Sequence, residues 1–502
     1  MRPGVQWLAG LRALGVQRRP ELLVFLPALA LAVLWTGGER ALLAVAIVLP
    51  LALVLIRWLL PAPVSLPVSD QVIDRLDAAL RDTSQGDRQT GCFVLQFDDT
   101  SWLCDRHGRT RQSEILAACV ARIRGAMRPG DMLFPLEDGS LVVALAPTQR
   151  LDLEVMVRIA GRLQLVVQQP MLLGEGSAQV TCCIGFCHAR QVTEAGGRSL
   201  LEAAQVAVDE AMRYGPGAIR AYTADLAKAR AQRDALRDGF AAAVAAGQVR
   251  AHFQPQLSTD SGEVSGVEVL ARWHHPEQGC LTPGQFLPAL EGTDLMALLA
   301  REMLGQALQA LAAWDHAGLR VPQVAVNFAA EELRDPQLPE RLTWALDRHD
   351  LAPSRLTVEV LESVVAGEED DIVTRNIARI AQLGCGVDLD DFGTGNASIT
   401  SIRRFALQRL KIDRSFVRDI DTDRGQQKLV TAILSLAEKL GLETLAEGVE
   451  TRGEHAMLAQ LGCGHVQGYV IARPMPFEDM APWLVRHREE LAAALCIDMR
   501  AR

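Results

Sequence analysis

The 502-residue chain has no stretch where lysine and arginine interleave with aromatic side chains, and its 61 acidic residues exceed its 51 basic ones, for a formal net charge of -10. Such a balance does not attract a polyanion, so a long nucleic acid is not an expected partner. Ten cysteines are scattered along the chain without a C-x-x-C pair at zinc spacing. A chain long enough for a sizeable core needs no disulfide framework, so all ten are read as reduced core residues, the cluster Cys182, Cys183 and Cys187 included. The length itself suits two or three domains.

What is present begins with two apolar stretches. Leu22 to Gly38 and Ala41 to Leu60 are almost wholly apolar and are separated by a loop carrying Glu39 and Arg40. Each is close to the roughly 20 residues that cross a bilayer as a helix. No small-residue cleavage site precedes the second stretch, which disfavours a removed leader. Arg2, Arg12, Arg18 and Arg19 precede the first, so the positive-inside rule places the N-terminus and everything after Leu60 in the cytoplasm. The expected organisation is a basic segment (1–20), a transmembrane hairpin (21–60), a linker and connector helix (61–86), a first globular domain (87–222), a linker helix (223–250) and a second domain (251–490).

In the first domain, strands and helices alternate as in an α+β fold. A strand is expected at Cys92–Phe97, a helix at Ser113–Met127, and a hairpin at Met132–Leu145 that turns at Glu137-Asp138-Gly139-Ser140. Further expected elements are a helix at Leu151–Gln168, a strand at Gln179–Phe186 and a helix at Leu200–Tyr214. This layout resembles the GGDEF domain, the diguanylate cyclase module. At the hairpin, where that family carries its Gly-Gly-Asp-Glu-Phe signature, this chain has neither the glycine pair nor the acidic pair. Metal-dependent nucleotidyl transfer loses its support there, and the domain is expected to be cyclase-inactive. Arg128-Pro-Gly-Asp131 matches the family's R-x-x-D inhibitory site for cyclic di-GMP, although an ordinary surface turn pairing Arg128 with Asp131 accounts for it as well.

From Ala251 onward, apolar runs alternate with helical stretches, favouring a (β/α) barrel whose chemistry sits where its strands end. Polar residues recur at or near those ends: Glu268, Asn327, Glu359 with Glu362, Asp390 with Asp391, Lys411, Glu447 and Gln467. Solvation accounts for a few such residues but poorly for seven successive positions. Adjacent carboxylates such as Asp390 and Asp391 repel one another and call for a compensating cation. Oxygen donors without histidine or cysteine suit Mg²⁺ or Mn²⁺, and the surplus of carboxylates suits two ions.

An ordered set of motifs accompanies these residues: Phe253-Gln-Pro-Gln256, Glu268-Val-Leu-Ala-Arg-Trp273, Val326-Asn-Phe328, Glu359-Val-Leu-Glu362, Asp390-Asp-Phe-Gly-Thr-Gly395, Leu410-Lys-Ile-Asp413, Ala446-Glu-Gly-Val-Glu450 and Gln467-Gly-Tyr469. Together they resemble the EAL family of cyclic di-GMP phosphodiesterases across about residues 232 to 490. The resemblance implies a TIM-like barrel in which Glu268, Asn327, Glu359, Asp390, Asp391 and Glu447 hold two Mg²⁺ or Mn²⁺ ions. It implies that Lys411 assists the nucleophilic water, that Glu362 braces the loop after Asp391, and that Gln254, Arg272 and Gln467 contact substrate. Departures are small: Val269 for alanine, Leu361 for threonine, Asn396-Ala397 for Tyr-Ser and Gln408 for aspartate. The expected protein is an enzyme of the cytoplasmic (inner) membrane that converts cyclic di-GMP to linear pGpG and forms a homodimer. Its GGDEF-like domain is a candidate regulator through GTP or a protein partner. The alternative is a receptor that binds the dinucleotide without cutting it.

Overall fold

The computed structural model describes residues 68–501 except 85–87, 99–100, 137, 174–175, 193–195, 367–370, 394 and 396–398. The basic segment 1–20 and the expected hairpin 21–60 lie outside the described residues. Among the described residues, no helix is long and apolar enough to cross a membrane. The chain divides between residues 227 and 228 into two compact units.

The first unit is built on strands β1 (Gly91–Phe97), β2 (Met132–Pro135), β3 (Leu141–Ala144), β6 (Cys182–His188) and β7 (Ile219–Ala221), ordered β2-β3-β1-β6-β7. A separate hairpin joins β4 (Met171–Leu173) to β5 (Gly176–Ala178). Only the β6–β7 pair in the five-stranded sheet is parallel. Successive β1 side chains take opposite faces, as the strand period of 2 requires. Phe93 and Leu95 pack with Ile115, Ile159 and Leu163 from helices Ser101–Ala126 and Leu153–Gln168. Cys92 and Val94 pack on the other face with Leu200 and Ala204 of helix Gly197–Arg213.

Two expectations for this unit need correction. Helix Val68–Ser84 is not a free connector, because Val72 and Leu76 are fully buried in the second of these clusters. Its backbone runs so close to Gly197 that a Cβ there would lie 2.4 Å from the Ile73 carbonyl, while the Gly197 N–H donates to Asp77 Oδ1 at 2.6 Å. The helix placed at Ser113 starts at Ser101, and the β4–β5 hairpin was not anticipated.

In the second unit, strands β8 (Val249–Ser258), β9 (Val264–His275), β11 (Val324–Phe328), β12 (Leu356–Leu361), β13 (Gly386–Phe392), β14 (Arg409–Ile412), β15 (Glu443–Ala446) and β16 (His465–Val466) close into a barrel. Short β10 (Gly279–Leu281) and β17 (Met475–Pro476) extend its rim. The barrel is not all-parallel: β9 and β11 to β16 run parallel, while β8 closes the ring antiparallel to both β9 and β16. The β8–β9 hairpin breaks the simple βα repeat expected from Ala251 onward.

Outward-facing Val267, Val269, Val358, Val360 and Leu389 pack with the surrounding helices. Residues of the opposite parity, including Gln254, Gln256, Glu268, Thr357, Glu359, Asp388, Asp390, Arg409 and Lys411, are polar and buried. Helix Ala224–Ala245 is more than a linker, because its Leu236, Phe240 and Ala243 enter the barrel core, with Phe240 edge-on to Trp273. Two helices follow β11, Ala330–Leu333 and Leu338–Arg348. Pro336 lies in the break, having no N–H to continue the ladder. Cys280 corrects the reading of every cysteine as core: it is exposed on edge strand β10, where its neighbour Leu281 takes the buried side.

Candidate active site

The site forms where the parallel strands end. Along β13, alternation turns Asp388 and Asp390 inward and would send Asp391 to the opposite face. The pairing register shifts between Leu389 and Phe392, and Asp391 takes a left-handed φ of 54°. An aspartate tolerates this conformation better than most residues, and such irregularities re-aim side chains at strand ends. Oxygens of Asp390, Asp391 and Glu447 consequently lie within 4.8 Å of one another.

Lys411 rises beside them from β14, fully buried. Its Nζ lies 2.7 Å from Glu447 Oε1, 2.8 Å from Glu359 Oε1, 3.0 Å from Asp390 Oδ1 and 3.7 Å from Glu268 Oε1. Burial favours the neutral amine, but Asp390, Glu268, Glu359 and Glu447 outweigh it and raise the pKa well above the usual lysine value. Lys411 therefore stays charged. The carboxylates are less well compensated. Burial, reinforced by Glu268, pushes Glu359 well up, burial and Asp390 raise Asp391 to about 6, and burial raises Glu447 to about 8 despite Lys411. One ammonium faces four carboxylates, with Asp391 a fifth beside Asp390 and Glu447, so the site does not ionise fully without further positive charge.

Asn327 Nδ2 donates to Glu268 Oε1 at 3.2 Å and to Glu359 Oε2 at 3.0 Å. With its amide nitrogen engaged by these carboxylates, Asn327 has its carbonyl oxygen left to offer a cation. Asp390, Asp391 and Glu447 thus form a hard oxygen group that fits a divalent cation of the Mg²⁺ type, with Glu268 and Glu359 joined to it through Lys411 and Asn327 bridging those two. Glu362 Oε2 accepts from the Gly393 N–H at 2.8 Å and the Gly395 N–H at 3.0 Å, tying down the backbone that follows Asp391.

The other sequence-selected residues divide. Gln254 and Gln467 are buried within the barrel, where Gln467 Nε2 donates to Glu268 and to Gln254 Oε1. Gln254 Nε2 donates to the Ala472 carbonyl at 3.1 Å. Both amides are thus engaged within the protein, Gln467 directly on Glu268. Arg272 is half-buried on β9 and donates to the Ala271 carbonyl at 2.8 Å. Arg128 and Asp131 lie in the first unit and have the geometry of a turn pair. Asp131 accepts from the Arg128 and Ala146 N–H groups at 3.1 and 2.9 Å, with the Arg128 guanidinium 3.9 Å away.

Two inward-facing features were missed from sequence. Arg409 grips Asp388 with Nε at 2.8 Å and Nη2 at 2.6 Å, both side chains only 2% exposed. Gln256 Nε2 donates to Gln467 Oε1 at 2.9 Å. The alternation Asp388-Leu-Asp390 against Arg409-Leu-Lys411 was the available signal for the first, and Gln254-Pro-Gln256 for the second.

Comparison with known proteins finds a family model for each of the two units. The model of the EAL domain matches residues 234–474, and that of the diguanylate cyclase GGDEF domain matches residues 66–217. The bifunctional diguanylate cyclase/cyclic di-GMP phosphodiesterase MucR of Pseudomonas aeruginosa is 30% identical over 81% of this chain and 59% of its own length. Cyclic di-GMP phosphodiesterase NbdA of the same organism is 29% identical over 80% and 51%, and cyclic di-GMP phosphodiesterase PdeR of Escherichia coli 29% over 84% and 62%. The chain thus spans about half to six-tenths of the length of these relatives. A solved structure of "PaMucR Phosphodiesterase, c-di-GMP complex" is 36% identical, covering 49% of this chain and 99% of that one, with a TM-score of 0.47. Residues 66–217 of this chain belong to the GGDEF domain family and residues 234–474 to the EAL domain family.

Proposed function

We propose that this chain is a membrane-anchored, divalent-metal-dependent phosphodiesterase that opens cyclic di-GMP to linear pGpG. The observation that carries the reading is the gathering of Glu268, Glu359, Asp390 and Glu447 on fully buried Lys411, with Asp391 and Asn327 beside them, at one end of the EAL barrel. Names of the relatives point the same way, three of them containing cyclic di-GMP phosphodiesterase. In this reading Glu268, Asn327, Glu359, Asp390, Asp391 and Glu447 hold two Mg²⁺ or Mn²⁺ ions. Bound there, such ions polarise a phosphodiester and lower the pKa of water.

Water supplies the oxygen that bonds to phosphorus, and its proton goes to the departing 3′-oxygen as the P–O3′ bond breaks. Lys411, held charged, orients that water and offsets the negative charge that builds on the phosphoryl oxygens. Glu362 holds the Gly393–Gly395 backbone and hence the direction of Asp391. Arg272 offers a planar guanidinium to a phosphate. Gln254 and Gln467, expected as substrate contacts, act in this reading chiefly on Glu268 and the rim at Ala472.

The full-length protein in detergent, given cyclic di-GMP with Mg²⁺ or Mn²⁺, should release pGpG resolved by chromatography. Dinucleotide bound but left intact under both cations would replace this reading with the receptor.

Residues 21–60 would form the anchor, with both globular units in the cytoplasm, and protease added to intact spheroplasts should then spare them. The GGDEF-like unit is proposed to regulate the barrel through GTP, a protein partner or homodimerisation. It lacks the acidic pair at Gly139-Ser140. Incubation with GTP and Mg²⁺ should yield no cyclic di-GMP.

A further inference from the structure

Gln256 takes no part in the chemistry described so far, yet it is fully buried inside the barrel one step away from the carboxylates. Its Nε2 donates to Gln467 Oε1 at 2.9 Å, and Gln467 Nε2 in turn donates to Glu268 and to Gln254 Oε1. Among the described residues, Gln256 Oε1 has no hydrogen-bond partner. The room it occupies exists because Gly266 stands opposite on β9, where a Cβ would come within 3.1 Å of that oxygen.

A carboxamide can turn over, exchanging its donor and acceptor ends at little cost in shape. For Gln467 the two orientations are chemically opposite. In one, its NH₂ group supports the acceptor-only Glu268 carboxylate; in the other, its carbonyl oxygen faces that carboxylate and repels it. The amide of Gln256 is the group that receives the Gln467 oxygen in the first orientation. A donor at Gln256 therefore favours the orientation in which Gln467 presents its NH₂ group to Glu268.

We propose that Gln256 is a positioning residue that sets the Gln467 amide and thereby keeps Glu268 turned toward its metal ligand role. The proposal rests on the reading of Glu268 as a metal ligand given above. It assigns Gln256 neither substrate contact nor an essential part in the fold. An oxygen without a partner already lowers what this side chain contributes to stability, so an apolar residue of similar size should be tolerated.

The test is Mn²⁺ binding to the full-length protein, followed by the electron spin resonance signal of the free ion, without substrate. Gln256→Met should weaken Mn²⁺ binding about tenfold, the lower end of the range for groups that support a ligand from behind, because it acts through an intermediary. In hydrolysis, kcat measured at saturating Mn²⁺ should recover to near wild type, with KM for cyclic di-GMP unchanged. Gln467→Met should weaken Mn²⁺ binding at least as much, and Gln256→Met added to it should cause no further loss.

Unchanged Mn²⁺ affinity in Gln256→Met, or losses that add in the double variant, would overturn the proposal. Should Gln256→Met fail to fold, Gln256→Ile, suited to a strand, is scored in the same way. Failure of both to fold would make the residue structural and also overturn the proposal. Wild-type protein that binds Mn²⁺ but leaves cyclic di-GMP intact would remove the phosphodiesterase reading while leaving the Gln256 comparison standing. Wild-type protein that binds no Mn²⁺ would remove both.

Discussion

Replacing Lys411 by methionine tests the electrostatics of the site most directly. The side chain keeps nearly the same length, while the ammonium that touches Glu447, Glu359 and Asp390 at 2.7 to 3.0 Å disappears. At an effective dielectric constant of about 20, each of those contacts is worth roughly 6 kcal/mol of gross Coulomb attraction. Repulsion among the carboxylates and the desolvation of each charge cancel most of this. Breaking a comparable buried pair costs about 3–5 kcal/mol, because the remaining charges are left without compensation. Urea unfolding of Lys411→Met in the presence of chelator should therefore show a loss of about 3–5 kcal/mol in the barrel transition. Saturating Mn²⁺ should return part of it, since a ligand bound only by the folded state stabilises that state. Turnover at saturating Mn²⁺ should fall by about 10²–10³, the usual range for removing one group that stabilises developing charge. Wild-type stability in chelator would show that the ammonium does not balance these carboxylates, and turnover within about threefold of wild type would remove Lys411 from the chemistry.

Glu362→Ala should lower kcat/KM about 10- to 100-fold by releasing the Gly393 and Gly395 amides, and those two amides should exchange hydrogen faster with solvent. Glu332, almost fully buried in helix Ala330–Leu333, provides a pH test away from the carboxylate cluster, since burial raises its pKa from 4.5 to about 7. Between those values the folded state binds more protons than the unfolded state, so this group's stabilisation is complete below about pH 4.5 and lost as the pH rises through 7. The loss amounts to about 3 kcal/mol. Glu332→Gln should flatten the pH dependence of unfolding over that window; curves that stay parallel to wild type would show that the group does not titrate as described.

Much of the barrel was readable because strand alternation is local. A run such as Val358-Glu359-Val360 sends its valines outward and its glutamate inward whatever the rest of the chain does. The same rule applies to Asp388 and Arg409, which share parity with Asp390 and Lys411 but sit deeper than the strand ends. The antiparallel course of β8 was harder to see, because Pro255 interrupts its run and its two partners, β9 and β16, lie at opposite ends of the domain sequence.

Helix Val68–Ser84 shows the limit from the other side. A helix was expected there, but nothing local says what its apolar face will meet. That was settled by its approach to Gly197, more than a hundred residues away.

The residue types at the barrel rim, their order, and the excess of oxygen donors over cations belong to the sequence alone, because composition and alternation need no partner to be specified. Tertiary structure alone decided that Asp391 turns back toward Asp390 through a left-handed backbone, and that one ammonium reaches carboxylates from four other strands or their ends. It also decided that Gln254, Gln256 and Gln467 face one another and Glu268 in a single chain of hydrogen bonds. Contacts of this kind depend on ring closure between distant strands, and the distance and direction of a side-chain group exist only once that ring has formed.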